Sequence, residues 1–252
     1  MGIKKKSTIK EPPMFPHHEV KWTAESSARL WNYYSSSTAH RSKYFGNRCG
    51  REVAHLLSRK IFSKVNTILD YSCGRGDLLA QCAPFFKPRH RIHACDMSTS
   101  SIEEASTRLT PISNFVSATV IEDLPSELPS KYFDLVIATE VLEHLNDLEL
   151  KRTLEDIARI VSTGGYIFLT TPYQEDLESE KTICPDCGCV FHRWQHQRSW
   201  TIEEVKSTLR IYGFEIIECK NIQWGPWPLK LYFWLTRVPG NGIYYIGKKI
   251  VD

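Results

Sequence analysis

Three stretches of this chain carry side chains whose types and spacing suit chemistry. In residues 68–80, ILDYSCGRGDLLA, a strand-like apolar run ends on Asp70, and Gly74 and Gly76 follow in a turn that leads into helix-forming residues. Glycines there let the backbone bend and let a ligand approach within van der Waals contact, while the amides opening the next helix face whatever sits on the turn. Asp96 closes a second strand-like run, HACDMS, 26 residues after Asp70. A carboxylate in that place can accept both hydroxyls of a ribose, and the two carboxylates together would stabilise a cationic group. A dinucleotide does not fit, because Gly74-Arg75-Gly76 is followed by Asp77, Leu78 and Leu79 with no third glycine, and Asp77 would repel a pyrophosphate. The pattern points to a nucleoside with a zwitterionic or charged tail.

The second stretch is CPDCGCVFHRWQHQRSW, residues 184–200. Cys184 and Cys187 have C-x-x-C spacing with Gly188 just behind, and His192 and His196 follow. Two thiolates and two imidazoles are enough for a closed tetrahedral zinc site. The gap between the cysteines and histidines is too short for the recognition helix of a DNA-reading finger. The expected ligands of a structural Zn2+ are therefore Cys184, Cys187, His192 and His196. Cys189 in place of one histidine, a redox pair and a metal-free loop are the alternatives. The other five of the eight cysteines lie scattered and read as small buried hydrophobes.

In the third stretch, ATEVLEHL, Glu140, Glu143 and His144 stand just past an apolar strand. His144 is the expected general base towards an acceptor hydroxyl, with Glu143 beside it; the plainer alternative is that His144 only buttresses the pocket.

The elements that must position these residues alternate along the chain. TILDYS, RIHACDMS, SATVIEDL, FDLVIAT, GYIFLTT, FEIIECKNI and IYYIGKKIV read as strands, with helices such as SIEEASTRL, DLELKRTLEDIARIV and TIEEVKSTLRIYG between most of them. Thr201 caps the last of these helices and Gly213 stops it. Strands buried on both faces and alternating with helices predict an α/β fold with a doubly wound, mostly parallel seven-stranded sheet. Residues 1–20 read as a loose tail and 21–252 as one domain. Within that domain, 21–62 form a helical cap, 63–172 the cofactor-binding half, 173–200 the cysteine/histidine insertion, and 201–252 a C-terminal helix and strands. The aromatics after Ile222 are expected to pack on the edge of the sheet.

Over residues 60–222 the order of motifs resembles the class I S-adenosylmethionine-dependent methyltransferases, whose Rossmann-like sheet has this alternation. LDYSCGRG is similar to the family's first motif, CDMS to its ribose-binding motif, EDLP to its adenine-side loop, FDLVIATEVLEHL to its fourth-strand motif and GGYIFLTTP to its fifth strand. The resemblance implies S-adenosyl-L-methionine as cofactor, bound by Asp70, Ser72, Gly74, Gly76, Asp96, Met97, Glu122, Asp123, Thr139 and Glu140. Ser72 replaces the first glycine of the motif and is expected to adopt the negative φ of a strand end. The insertion is similar to a CPxCG…FHRW…H segment in a bacterial branch linked to glycan and natural-product pathways.

The implied activity is methyl transfer to oxygen or nitrogen of a small-molecule, glycan or natural-product acceptor. A rival resemblance is to small-RNA 2′-O-methyltransferases, which implies a divalent cation held by Glu140, Glu143, His144 and His196. A third alternative is a non-catalytic cofactor-binding module. The chain has 252 residues, 42% of them hydrophobic, and its 32 basic against 29 acidic side chains leave a net charge of +3. So small an excess argues against a dedicated nucleic-acid surface. MGIKKK has no apolar stretch behind it, and WPLKLYFWLTRV is too short to span a bilayer, so the expectation is a soluble, cytoplasmic protein.

Overall fold

The computed structural model describes residues 16–236 and 238–250; expectations resting on residues 1–15 lie outside it. After a short strand β1 (His18–Glu19), the chain enters the helical cap as α1 (Ala24–Ser36), α2 (Thr38–Arg41) and α3 (Phe45–Lys60). Thr23 caps α1, its hydroxyl accepting from Ser26 N. The alternation then runs β2 (Thr67–Tyr71), α4 (Asp77–Cys82), β3 (Arg91–Asp96), α5 (Thr99–Leu109), β4 (Phe115–Val120), β5 (Phe133–Thr139), α6 (Asp147–Ile160) and β6 (Val161–Pro172). A hairpin of β7 (Lys181–Ile183) and β8 (Cys189–His192) follows, then α7 (Ile202–Ile211), β9 (Phe214–Ile222), α8 (Trp227–Thr236) and β10 (Gly242–Lys249).

Seven strands form one sheet in the order β4-β3-β2-β5-β6-β10-β9. β2 to β6 pair in parallel, and β10 inserts antiparallel between β6 and β9. This is the doubly wound, mostly parallel sheet that the alternation predicts. Its two faces follow the period of two in a strand. Ile68, Ile92, Leu135, Ile137 and Phe168 face α3, α4 and α5, whereas Leu69, Val136, Ala138, Ile167 and Leu169 face α6 and α7. Burying each of the larger of these side chains contributes roughly 1.5–3 kcal/mol.

Strand order reverses between β2 and β5: the chain moves outward through β3 and β4, then returns to place β5 on the other side of β2. A crevice therefore opens beyond the carboxyl ends of β2 and β5. Asp70, the glycine turn and Thr139 all lie at that edge.

Two expectations are corrected here. SATVIEDL is strand only as far as Val120; Glu122 and Asp123 stand exposed in the loop after it. Of the late aromatics, Trp224 is buried and packs edge-on against Phe45 at 5.4 Å. Tyr232 and Trp234, by contrast, are exposed on α8 because that helix leaves the sheet between β9 and β10. No helix among the described residues is long and apolar enough to cross a membrane.

Candidate active site at the switch point

The glycine turn is tied to β3 by a single carboxylate. Asp96 accepts from Gly74 N through Oδ2 at 2.8 Å and from Ser98 N through Oδ1 at 2.9 Å. Gly74 (φ 52°) and Gly76 (φ 73°) are left-handed. A Cβ on Gly76 would stand 3.1 Å from Leu109, whereas one on Gly74 would meet nothing within 4 Å. Gly76 lets α4 pack on α5; Gly74 leaves an open cradle above the turn. Ser72 corrects an expectation. Its φ is +60°, not negative, so serine occupies the glycine conformation of this motif and carries the strain.

Asp70 is buried, with Oδ2 lacking any hydrogen-bond partner. Burial pushes its carboxyl up to about 8, and the charge of Asp96 adds to this. Burial also raises Asp96, against the pull of its amide donors. An orphaned acid beside an open cradle fits a cationic ligand such as a sulfonium. Met97 is largely exposed behind Asp96, and Thr139 is partly buried at the end of β5.

Linkage gives the sign of a pH effect. The native state holds the Asp70 proton up to about pH 8, while the unfolded chain releases it near the ordinary Asp value of about 4. The native state thus binds more protons across that window, and the ligand-free protein is expected to lose stability as pH rises from 5 to 8. A series of melting temperatures checks this. The slope should flatten in Asp70→Asn, and an unchanged slope in that variant would reject the assignment.

Beyond β5 and β6 lies a cluster of carboxylates and imidazoles. Glu140, left-handed at φ 53°, accepts from Thr170 Oγ1 at 2.7 Å. Glu143 is fully buried; its Oε2 accepts from Thr171 Oγ1 at 3.1 Å, and its Oε1 has no partner. Burial raises both carboxyls, and the charge of Glu140 raises Glu143 further. His144 Nε2 stands 4.0 Å from Glu143 Oε1, and His144 Nδ1 is buried without a partner. Burial first, then His196, pushes His144 down to about 3. The ring is therefore neutral at pH 7, a weak base but an available lone pair.

The segment after β6 folds back to complete this cluster. Gln197 N donates to Glu143 O at 2.7 Å and Arg198 Nε to Leu145 O at 2.9 Å. One ligand atom from each of Glu143, His144 and His196 lies within 4.8 Å of the others, and the same holds for Glu175, His192 and His196. Helix α1 covers the cluster. Trp31 Nε1 donates to Gln195 Oε1 at 2.5 Å, its ring meets His144 edge-on at 5.1 Å, and Tyr34 OH donates to Arg193 O at 2.5 Å.

The expected four-ligand zinc site is corrected. Cys184, Cys187 and Cys189 sit at the tip of the β7–β8 hairpin, closed by bonds from Cys184 N to Cys189 O and from Gly188 N to Cys184 O. His192 is at the far end of β8, opposite Lys181. Three residues of extended strand set its backbone about 10 Å from that of Cys189, and an odd spacing turns the two side chains to opposite faces of β8. Among the described residues, neither group of close ligands contains a cysteine. Cys184 and Cys187 thus part from His192 and His196. The backbone N–H of Cys187, then that of Asp186, draws the Cys184 thiol below its ordinary value. β1 brings His18 level with Cys189.

Sequence reading missed Glu175, whose carboxylate meets both histidines, and Trp31, which roofs His144. The H-x-x-x-H spacing carried a trace of the first, since both rings needed a shared partner. Nothing local marked the second.

Residues 39–219 match a family model described as a methyltransferase domain. A ubiquinone biosynthesis O-methyltransferase of Rhizobium etli is 28% identical over 167 residues, which span 63% of this chain and 64% of that relative's length. A chain of the Haloferax volcanii complex between the Trm112 methyltransferase activator and a methyltransferase superposes with a TM-score of 0.64 at 20% identity, over 88% of this chain and 98% of that one. The 1,6-didemethyltoxoflavin-N1-methyltransferase of Burkholderia thailandensis, solved with bound 1,6-didemethyltoxoflavin and S-adenosylhomocysteine, gives a TM-score of 0.62 at 16% identity over 94% of each chain. At such identities these two solved structures share the fold.

Proposed function

We propose, from the premise that this chain belongs to the methyltransferase-domain family and is a class I S-adenosylmethionine-dependent methyltransferase, that it methylates an oxygen of a small-molecule or glycan acceptor. The observation that carries this reading is the Glu143–His144–His196 cluster, which follows the carboxyl ends of β5 and β6 and has unpartnered polar atoms on the buried Glu143 and on His144.

S-adenosylmethionine supplies an activated methyl group. Gly74, Gly76 and Asp96 would hold the nucleoside, Asp70 would face the charged tail, and Met97 with Thr139 would flank it. Glu122 and Asp123 border the adenine side from the loop after β4. The protein's own task is then to position the acceptor oxygen and ease loss of its proton.

A His144 held near 3 is a poor proton acceptor at pH 7. Glu143, His144 and His196, with Glu140 adjoining, would hold a divalent cation, which would supply the Lewis acidity that lowers an acceptor hydroxyl's pKa. Two adjacent hydroxyls would suit such a site best. A vicinal diol on a sugar or an aromatic ring meets that description, and so does the terminal ribose of an RNA. The gathering of Glu143, His144 and His196 favours the RNA reading too, but the small net charge gives it no support.

Transfer of labelled methyl from S-adenosylmethionine to catechol, sugar and RNA panels, with Mn2+ or with chelator, tests the proposal. Transfer to a small diol that chelator abolishes is expected. Transfer to RNA alone would establish the second reading, and cofactor binding with no transfer to any acceptor would leave a non-catalytic module.

The C-x-x-C pair Cys184 and Cys187 at the hairpin tip is a separate candidate for structural zinc on its spacing, although the three hairpin thiols do not form one of the close ligand groups among the described residues. Metal analysis of the reduced protein is expected to find about one zinc per chain, lost in Cys184→Ser and Cys187→Ser and retained in His196→Ala. Retention in the cysteine variants would remove zinc from the hairpin.

A further inference from the structure

The histidine pair on the insertion holds its protons in a fixed order. His192 Nδ1 lies 3.1 Å from His196 N and 3.3 Å from Trp194 N. Backbone N–H groups only donate, so Nδ1 must be the bare, accepting nitrogen and the proton of the neutral ring sits on Nε2. That Nε2 is buried, has no hydrogen-bond partner, and faces Glu175 Oε1 across 3.6 Å. The other oxygen, Glu175 Oε2, stands 2.5 Å from His196 Nδ1. That contact joins a carboxylate oxygen, an acceptor, to His196 Nδ1, so Nδ1 carries the hydrogen and the ring's lone pair is left on Nε2. The two rings are stacked, with centroids 4.7 Å apart and planes at 21°, and His196 also meets His144 edge-on at 4.8 Å.

We propose that His192 and Glu175 are positioning residues, a relay that fixes the tautomer of His196 and presents its Nε2 lone pair to a divalent cation shared with Glu143 and His144. This rests on the cation reading above and deepens it. Of the two groups of close ligands, only Glu143–His144–His196 can bind the ion. In the other group, His192 has given its Nδ1 lone pair to two amides and bears a proton on Nε2. A carboxylate on the remote nitrogen of a ligating histidine both orients the ring and raises its basicity. The relay also assigns a use to the β7–β8 insertion: its hairpin brings His192 and His196 back over β6, where Glu175 waits just past the strand.

Two measurements decide this. Nitrogen-15 spectra of histidine-labelled, cation-free protein should show His196 protonated on Nδ1 and His192 on Nε2; the reverse tautomer in either ring overturns the relay. Mn2+ titration should then show Glu175→Gln binding about 10- to 100-fold more weakly than wild type, with S-adenosylhomocysteine affinity unchanged and Glu175→Asp restoring part of the loss. Equal Mn2+ affinity in wild type and Glu175→Gln overturns the relay alone. Failure of the wild-type protein to bind Mn2+ at all overturns the cation reading beneath it.

Discussion

Asp96→Ala is expected to weaken S-adenosylhomocysteine binding by about 100-fold or more. One carboxylate ties the glycine turn to β3 through Gly74 N and Ser98 N. Removing it leaves two amide donors without their partner, at about 1–3 kcal/mol for each that stays buried. It also removes the group expected to receive the ribose hydroxyls. The amide terms lower stability and loosen the turn, whereas losing ribose hydrogen bonds to a charged acceptor, about 1.5–3 kcal/mol each, sets the loss of affinity, since each 1.4 kcal/mol is about tenfold. Asp96→Asn keeps the shape but offers one acceptor and a misplaced donor, and should fall between the two. Calorimetry reads both. Near-native affinity in Asp96→Ala, in protein that melts normally, would mean that the nucleoside lies elsewhere.

Glu143→Gln should cost turnover about 10²- to 10³-fold, the scale seen when a single preorganised charge is removed from an active site, while S-adenosylhomocysteine affinity stays within about twofold. The carboxylate is fully buried, bonded on one oxygen by Thr171, and bare on the other. A bare buried oxygen is costly unless something binds it. Glutamine keeps the Thr171 contact and removes the charge, so it separates fold from function. The same substitution should raise the melting temperature of the cation-free protein, because burial disfavours the carboxylate it replaces. Unchanged kcat and unchanged Mn2+ affinity would take Glu143 out of the reaction.

The cofactor half was legible because its signals are local. FDLVIAT is β5 residue for residue, and FEIIECKNI is β9. A glycine pair after an apolar strand and an aspartate at the end of the next strand need only short-range patterns to be recognised. Ser72 departs from the expected negative φ because the backbone at this turn takes φ +60° even with a serine side chain, which residue type alone does not signal. The insertion was legible in composition and not in geometry. C-x-x-C and H-x-x-x-H look like one ligand set on paper, yet β8 runs extended between them and sends the histidines to Glu175 and Glu143. Ligand spacing counts residues, and whether a strand or a turn lies between them decides which ligands can meet. The roof over His144 was beyond reach, since Trp31 and Gln195 are 164 residues apart.

Titration of S-adenosylhomocysteine into the folded wild-type protein tests the site at the β2–α4 turn most directly. One nucleoside should bind per chain with a Kd on the order of micromolar, about −8 kcal/mol. No heat of binding at concentrations hundreds of times higher would contradict it.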